Sequence, residues 1–307
     1  MVAHASEAQF YIKGGLCMFW KKVGVIGAGT MGQAISEMLA KNGLDVYIID
    51  KNQDNVDAGR RMIELSLDKQ IEKWAITESE KKTILSRIQK AGELFELKEC
   101  DLIIEAIVED LESKKNILEQ MGRLCHSEVV IASNTSTLSI TEIARAVLHP
   151  ERVIGIHFIF PVSNIDVVEI VRGLQTSDQT YNQVKQFVEH ALEKTGILVY
   201  ESPGYVTTRL ISIIINEALH VLAEGVASAE DIDKAMRIGY GFRHGPLEMA
   251  DRFGLDSVLA TLERMFRDYG DMKYRPAVLL RKLVRAGQLG TKTGSGFFRY
   301  DEDGDRI

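Results

Sequence analysis

A chain of 307 residues, 45% hydrophobic and 26% charged, has apolar material for two domains of ordinary size and is not composed like a disordered or fibrous protein. Its net charge of −7 and isoelectric point near 5.6 offer no basic field to nucleic acid or to an anionic membrane, although a small phosphorylated ligand is still compatible through local lysines and backbone N–H groups. The three cysteines, Cys17, Cys100 and Cys125, have no metal-ligand spacing, which points to a reduced, cytoplasmic protein without a structural metal.

Residues 1–19 have neither a continuous apolar core nor hydrophobic periodicity, so they read as a tail and not as a secretory signal. Lys13-Gly14-Gly15 can be encoded by an AAGGAGG core, the form of a bacterial ribosome-binding site, a few codons before Met18. Met18 is therefore a candidate start, the alternative being a short disordered tail.

From Lys22 the pattern sharpens into 22-KVGVIGAGTMGQAISEMLAKNGLDVYIID-50. The apolar run Lys22–Ile26 suits a central parallel strand, Ala34, Ile35, Met38 and Leu39 carry helical spacing, and Val46–Ile49 form a second strand ending at Asp50. Between strand and helix stand Gly27, Gly29 and Gly32. The first allows a tight turn, the second lets a pyrophosphate approach the backbone, and the third lets helix and strand pack closely. Thr30 and Met31 then open the helix whose free N–H groups and dipole would face the phosphates. Asp50 can accept hydrogen bonds from both ribose hydroxyls and repels a 2′-phosphate, which favours NAD over NADP.

The alternation continues. Residues 56–90 read as helical, 101–107 as a strand, 112–124 as a helix, 129–135 as a strand, 140–147 as a short helix and 153–158 as a further strand. This predicts an α/β fold, a Rossmann-type doubly wound parallel sheet. From Gly204 onward the pattern is helical, with 229–238 and 255–270 as clear segments. The apolar run 204–227 is interrupted by Arg209, Asn216, Glu217 and His220, so it predicts a buried helix and no membrane span. The Ser202-Pro203-Gly204 turn sets the expected division: residues 1–19 as tail, 20–202 as an NAD-binding Rossmann domain, and 203–307 as an all-α domain.

Taken together, GxGxxG with Asp50, 105-EAIVEDLESKK-115, 133-SNTSTLSIT-141, His157-Phe158 with Pro161, 169-EIV-171, 203-PGYVTTRL-210, 245-GPLEMADRFGLD-256 and 290-GTKTGSGFFRY-300 resemble the NAD-dependent 3-hydroxyacyl-CoA dehydrogenases, from Lys22 to Tyr300. The resemblance implies that His157 is the catalytic base, Glu169 its partner, and Ser136 a polar contact to substrate and nicotinamide. It further implies that Glu109, Lys114 and Lys292 lie near NAD, that Ser66 and Lys73 bind CoA, and that the helical domain makes a homodimer. The chemistry suits the residues. Oxidising a secondary alcohol needs a proton acceptor titrating near neutrality, and the imidazolium so formed needs an anion behind it.

Two positions depart from the family's pattern. Phe160 stands where an Asn contacts cofactor, and Thr208 where an Asn helps hold the substrate carbonyl; the hydroxyl is shorter than the amide and has fewer hydrogen-bonding groups. In 241-GFRHGPLE-248, Arg243 and His244 replace apolar or Pro-Met residues. They read as a solvated loop, or as recognition of an acidic group on the acyl chain or its carrier. The expected activity is NAD-dependent interconversion of a 3-hydroxyacyl thioester and its 3-oxoacyl form, on CoA. The alternatives are the same chemistry on an acyl-carrier-protein thioester, or a weakly active NAD-binding relative.

Overall fold

The computed structural model describes residues 11–12, 15–16, 20–302 and 304–307. The expectations placed on the tail and on a start at Met18 fall outside these residues, apart from a short antiparallel ladder of β1 (Tyr11–Ile12) with β2 (Gly15–Leu16). The chain divides into two compact units, one of Met1–Thr135 with Ile140–Val199, the other of Ser136–Ser139 with Tyr200–Ile307.

The first unit is built on β3 (Lys22–Ile26), β4 (Asp45–Ile49), β5 (Ile88–Lys90), β6 (Leu102–Glu105), β7 (Val130–Ser133), β8 (Val153–Phe158), β9 (Val167–Arg172) and β10 (Thr195–Tyr200). They form one eight-stranded sheet of order β10-β9-β8-β7-β6-β3-β4-β5. Pairings from β5 through β8 are parallel and β8–β9 is antiparallel. The inner strands β6, β7 and β8 are buried along their whole length, as a sheet covered on both faces requires. The helices are α1 (Thr30–Lys41), α2 (Gln53–Glu72), α3 (Glu78–Arg87), α4 (Leu111–Leu124), α5 (Ile140–Ala144) and α6 (Asp178–Gln186). Ile35, Leu39, Ile63, Leu67 and Val184 from α1, α2 and α6 share one core with Val23, Val25, Ile104, Ile154 and Ile156 of the sheet.

The 56–90 stretch is not one helix. Α2 stops at Glu72, where Trp74 N–H donates to Ile71 O and Ala75 N–H to Gln70 O, both at 2.9 Å. A new start follows at Thr77, whose side chain and that of Glu80 close a reciprocal capping box. The segment then ends in the short strand β5, which pairs with β4. Strand β10, for which no element was expected, supplies the other edge of the sheet.

The second unit holds α7 (Thr207–Ala223), α8 (Ala229–Tyr240), α9 (Pro246–Phe253), α10 (Leu255–Tyr269) and α11 (Val278–Arg285), around Leu219, Leu247, Leu255, Leu262, Met265 and Leu280. Ser136–Ser139 belong here, tied by Tyr205 Oη donating to Leu138 O at 3.0 Å and Ser139 Oγ to Glu201 Oε2 at 3.2 Å. Two fully buried carboxylates organise the helices. Asp233 on α8 accepts from the N–H groups of Leu247 and Glu248, capping α9 from outside. Asp251 on α9 accepts from Phe297 N–H, Phe298 N–H and Tyr300 Oη. The facing glycines are obligatory: a Cβ on Gly245 would lie 2.2 Å from Asp233 Cγ, and one on Gly296 would lie 1.9 Å from Asp251 Oδ1. Much of the motif content of 245–256 and 290–300 is therefore the closure of this unit.

Candidate active site

The sheet reverses its winding at β3. The chain runs outward through β4 and β5, then returns to β6 on the other side, and a crevice at the carboxyl ends of strands on such a switch point is where doubly wound sheets hold ligands. Gly27 sits there with φ +110, and a Cβ would meet Ala106 O at 2.5 Å; on Gly32 it would meet Gly27 O at 1.8 Å. Nothing lies within 4 Å of a Cβ on Gly29, so the turn is closed against the sheet and open toward a ligand. The helix behind it has no side-chain cap at Gly29 and no acid in its first turn. The N–H groups at Thr30, Met31 and Gly32 are thus left to an outside anion, whereas Asn52, Thr77 and Asp110 cap α2, α3 and α4. These residues fit the pyrophosphate of a dinucleotide.

Asp50 closes the crevice. Its Oδ2 accepts Ala28 N–H at 2.8 Å, and its Oδ1 accepts Lys51 N–H at 2.8 Å and Asn55 Nδ2 at 2.6 Å. The carboxylate is held rigidly beside the glycine turn; of its roughly four acceptor positions three are taken, leaving one on Oδ2 for a ribose hydroxyl, where the sequence suggested two. Asp50→Ala is expected to raise KM for NAD at least about ten-fold, since hydrogen bonds to a charged group contribute about 1.5–3 kcal/mol each. It should also narrow the preference for NAD over NADP. Steady-state kinetics with both cofactors checks this, and an unchanged preference would remove Asp50 from cofactor recognition.

His157 and Glu169, twelve residues apart, are direct partners in the β8–β9 ladder. Alternation along β8 gives Ile154, Ile156 and Phe158 to the apolar core and turns His157 to the other face, with Glu169 opposite it. His157 Nδ1 lies 2.6 Å from Glu169 Oε2, with His157 8% exposed and Glu169 fully buried. A carboxylate at Nδ1 selects the tautomer with its proton there, leaving Nε2 as the nitrogen able to take a proton, and low local polarity strengthens the pairing. Just beyond, Phe158 N–H donates to Asn134 Oδ1 at 2.9 Å, which fixes the end of β8 against the loop after β7.

The family 3-hydroxyacyl-CoA dehydrogenase, NAD binding domain, matches residues 22–202, and 3-hydroxyacyl-CoA dehydrogenase, C-terminal domain, matches residues 204–300. The chain belongs to the 3-hydroxyacyl-CoA dehydrogenase family. It is 43% identical to a probable 3-hydroxybutyryl-CoA dehydrogenase of Deinococcus radiodurans, across 91% of this chain and 100% of that one. Among solved structures it resembles FadB2 of M. tuberculosis with a TM-score of 0.90 at 34% identity, covering 92% of this chain and 100% of that one. It also resembles the (S)-3-hydroxybutyryl-CoA dehydrogenase PaaH1 of Ralstonia eutropha, TM-score 0.84 at 42% identity, covering 92% and 99%. As a member of this family the chain is an NAD-dependent oxidoreductase acting on 3-hydroxyacyl thioesters.

Within this 3-hydroxyacyl-CoA dehydrogenase the remaining expected site residues have varied settings. Lys114 is buried and donates to fully buried Glu105 at 2.6 Å, with Glu109 Oε2 at 3.5 Å. Glu105 also accepts Ile107 N–H at 2.7 Å and Ser133 Oγ at 2.6 Å. Lys114 thus locks the β6 turn from behind, while exposed Glu109 accepts from Thr135 Oγ1 at 2.5 Å. Ser66 is half-buried on α2 and lines a cleft of about 450 Å³ with Met38, Lys41, Phe160, Pro161 and Lys194. Buried Lys194 donates to Val162 O and Ile165 O at 3.0 and 2.8 Å, pinning the loop that carries Phe160. Lys73 is exposed at the end of α2.

Ser136, Thr208 and Lys292 belong to the second unit. Ser136 is half-buried in its short loop, Thr208 is half-buried in the first turn of α7, and Lys292 Nζ is bound to Asp256 at 2.8 and 3.0 Å and to Ser257 Oγ at 3.0 Å. His244 is engaged locally, 2.8 Å from Glu248 Oε1, which Arg252 also contacts at 2.9 Å; Arg243 is exposed. Burial pushes the thiols of Cys100 and Cys125 up to about 12 and about 11, so both stay protonated near neutrality and neither is nucleophilic. Sequence reading missed Glu105, Asn134 and Lys194.

Proposed function

We propose that the chain reversibly oxidises a short-chain 3-hydroxyacyl-CoA to the 3-oxoacyl-CoA, as a cytoplasmic homodimer. The single observation that carries the reading is the 2.6 Å His157–Glu169 pair, opposed in register on adjacent strands. In the oxidative direction His157 Nε2 takes the proton from the 3-hydroxyl group, while Glu169 holds the ring and offsets the positive charge that forms on it. NAD, when bound, supplies the hydride acceptor. Ser136 contributes a hydroxyl contact to the reacting end of the substrate, and Thr208 a second. Glu109 serves the NAD side, with Lys114 acting there through Glu105, and the family resemblance gives Lys292 a role toward the same cofactor. Ser66 and Lys73 hold the CoA moiety.

The short acyl chain follows the relatives, whose names specify 3-hydroxybutyryl-CoA. The homodimer contact belongs to the second unit, where Leu210, Ile238 and Tyr240 are exposed apolar side chains; analytical ultracentrifugation tests it. The activity is tested by NADH oxidation with acetoacetyl-CoA beside the same acyl group on a carrier protein. Turnover of the CoA ester with a much higher kcat/KM is expected, and a reversed ratio would transfer the assignment to the carrier-protein thioester.

Phe160 and Thr208 set this chain apart from the family pattern: Phe160 puts an apolar wall where a polar contact to cofactor is usual, and Thr208 has fewer hydrogen-bonding groups than Asn to offer the substrate carbonyl. Phe160→Asn and Thr208→Asn are each expected to raise kcat/KM for acetoacetyl-CoA. A missing donor to a developing oxyanion costs on the order of 10²-fold, so the gain at Thr208 should reach several-fold. If both substitutions lower the rate, Thr208 is itself a competent donor and the two departures do not weaken the site for acetoacetyl-CoA.

A further inference from the structure

We propose that Trp74 is a stacking platform for the adenine ring of the substrate's CoA moiety, and the residue that gives this chain its preference for a CoA thioester over one lacking the nucleotide. The proposal rests on the CoA reading of Ser66 and Lys73 given above.

Trp74 stands where folding alone disfavours it. The two hydrogen bonds that close α2, from Trp74 N–H to Ile71 O and from Ala75 N–H to Gln70 O, put the intervening residue in the left-handed region, and Trp74 has φ +57. That position after a helix is ordinarily glycine's, because a side chain there crowds the backbone. The indole receives no burial in return, being 94% exposed, and has no ring or cation partner among the described residues. The chain's other tryptophan shows the contrast: Trp20 is half-buried against Phe187, with ring centroids 5.0 Å apart. A strained, solvent-facing aromatic without a packing role points to a ligand.

The surroundings define that ligand's chemistry. Lys73 is adjacent, exposed and outside every ion pair among the described residues, so a flat ring resting on the indole would have a cation beside it for a phosphate. Ser66 lies two helical turns back on the same face of α2, about 10 Å along the axis at 1.5 Å per residue, and lines the cleft that also carries Phe160. A molecule with a planar base and phosphate at one end and a long flexible arm at the other spans these points. The adenosine 3′,5′-bisphosphate end of CoA meets Trp74 and Lys73, and its pantetheine arm runs past Ser66.

The test uses the full chain and Trp74→Gly, which relieves the left-handed strain and should melt no lower than wild type. The readout is the ratio of kcat/KM for acetoacetyl-CoA to that for acetoacetyl-N-acetylcysteamine, which has the thioester and no nucleotide. The ratio should fall about ten-fold in Trp74→Gly, the scale of one base stacked on an aromatic side chain, with the change in KM. Adenosine 3′,5′-bisphosphate should quench wild-type tryptophan fluorescence saturably and leave the variant, where Trp20 alone emits, unchanged. A preference for the CoA ester that survives in Trp74→Gly and is lost in Lys73→Ala overturns the role of Trp74 and leaves the CoA reading standing. A wild type that shows no preference overturns both.

Discussion

His157→Gln is expected to lower kcat between about 10² and 10⁴-fold, the usual contribution of a positioned general base, while changing the Kd for NAD by no more than about two-fold. The separation follows from where the groups lie. The pyrophosphate and ribose elements, Gly27, Gly29, the start of α1 and Asp50, sit at the ends of β3 and β4, and none of them is hydrogen-bonded to the imidazole. Gln fills similar space at the end of β8 and can still bond Glu169, so the ladder pairing with β9 is retained. Glu169→Gln should be milder, because its amide oxygen can still accept Nδ1–H and keep the tautomer, though without a charge to offset the imidazolium. Stopped-flow turnover together with NAD titration checks both. An equal loss of NAD affinity in His157→Gln would make the residue structural.

The glycine turn could be read from the sequence because each glycine answers a local demand, and the structure meets two of them with clashes any side chain would cause, at Gly27 and Gly32. His157 and Glu169 were legible as residues, and the ladder supplies the missing step: an antiparallel hairpin in a mostly parallel sheet brings positions twelve apart into one pair. Glu105 was illegible for the opposite reason. It ends an apolar run and looks like a residue turning out to solvent, while Lys114, singled out by the family resemblance alone, has the local pattern of an ordinary surface lysine of a helix. Only the β6–β7 register, which sets Glu105 opposite Ser133, shows that all three are buried together. The break in the 56–90 helix had a readable signal in Thr77 and Glu80, the capping-box pair; the other half of the break is Trp74 in a glycine position, which no propensity scale would predict.

The larger structural effect is expected at Asp251. Asp251→Ala leaves two backbone N–H groups and the Tyr300 hydroxyl without their acceptor in a fully buried place, and each stranded donor costs about 1–3 kcal/mol. Part of that is returned, because the carboxylate is itself costly to bury: desolvation outweighs its three hydrogen bonds and holds its pKa above the ordinary carboxylate value. A net loss of about 3 kcal/mol remains, which should lower the melting transition of the second unit by about 10 °C or more, at roughly 4–8 °C per kcal/mol for a unit of this size. The segment from Gly290 to Tyr300, which folds onto Asp251, should become the first site of proteolysis. The sign of the pH dependence follows from the raised pKa. The folded state binds this proton more tightly than the unfolded chain, so the group's contribution is greatest below the ordinary carboxylate pKa and declines as pH rises through the folded value. Asp251→Asn cannot ionise and should lack that decline, so the gap in melting temperature between wild type and Asp251→Asn should be widest in acid and narrow toward neutral pH. A gap that widens toward neutral pH would show that the three hydrogen bonds outweigh burial, and would reverse the balance assigned to this carboxylate.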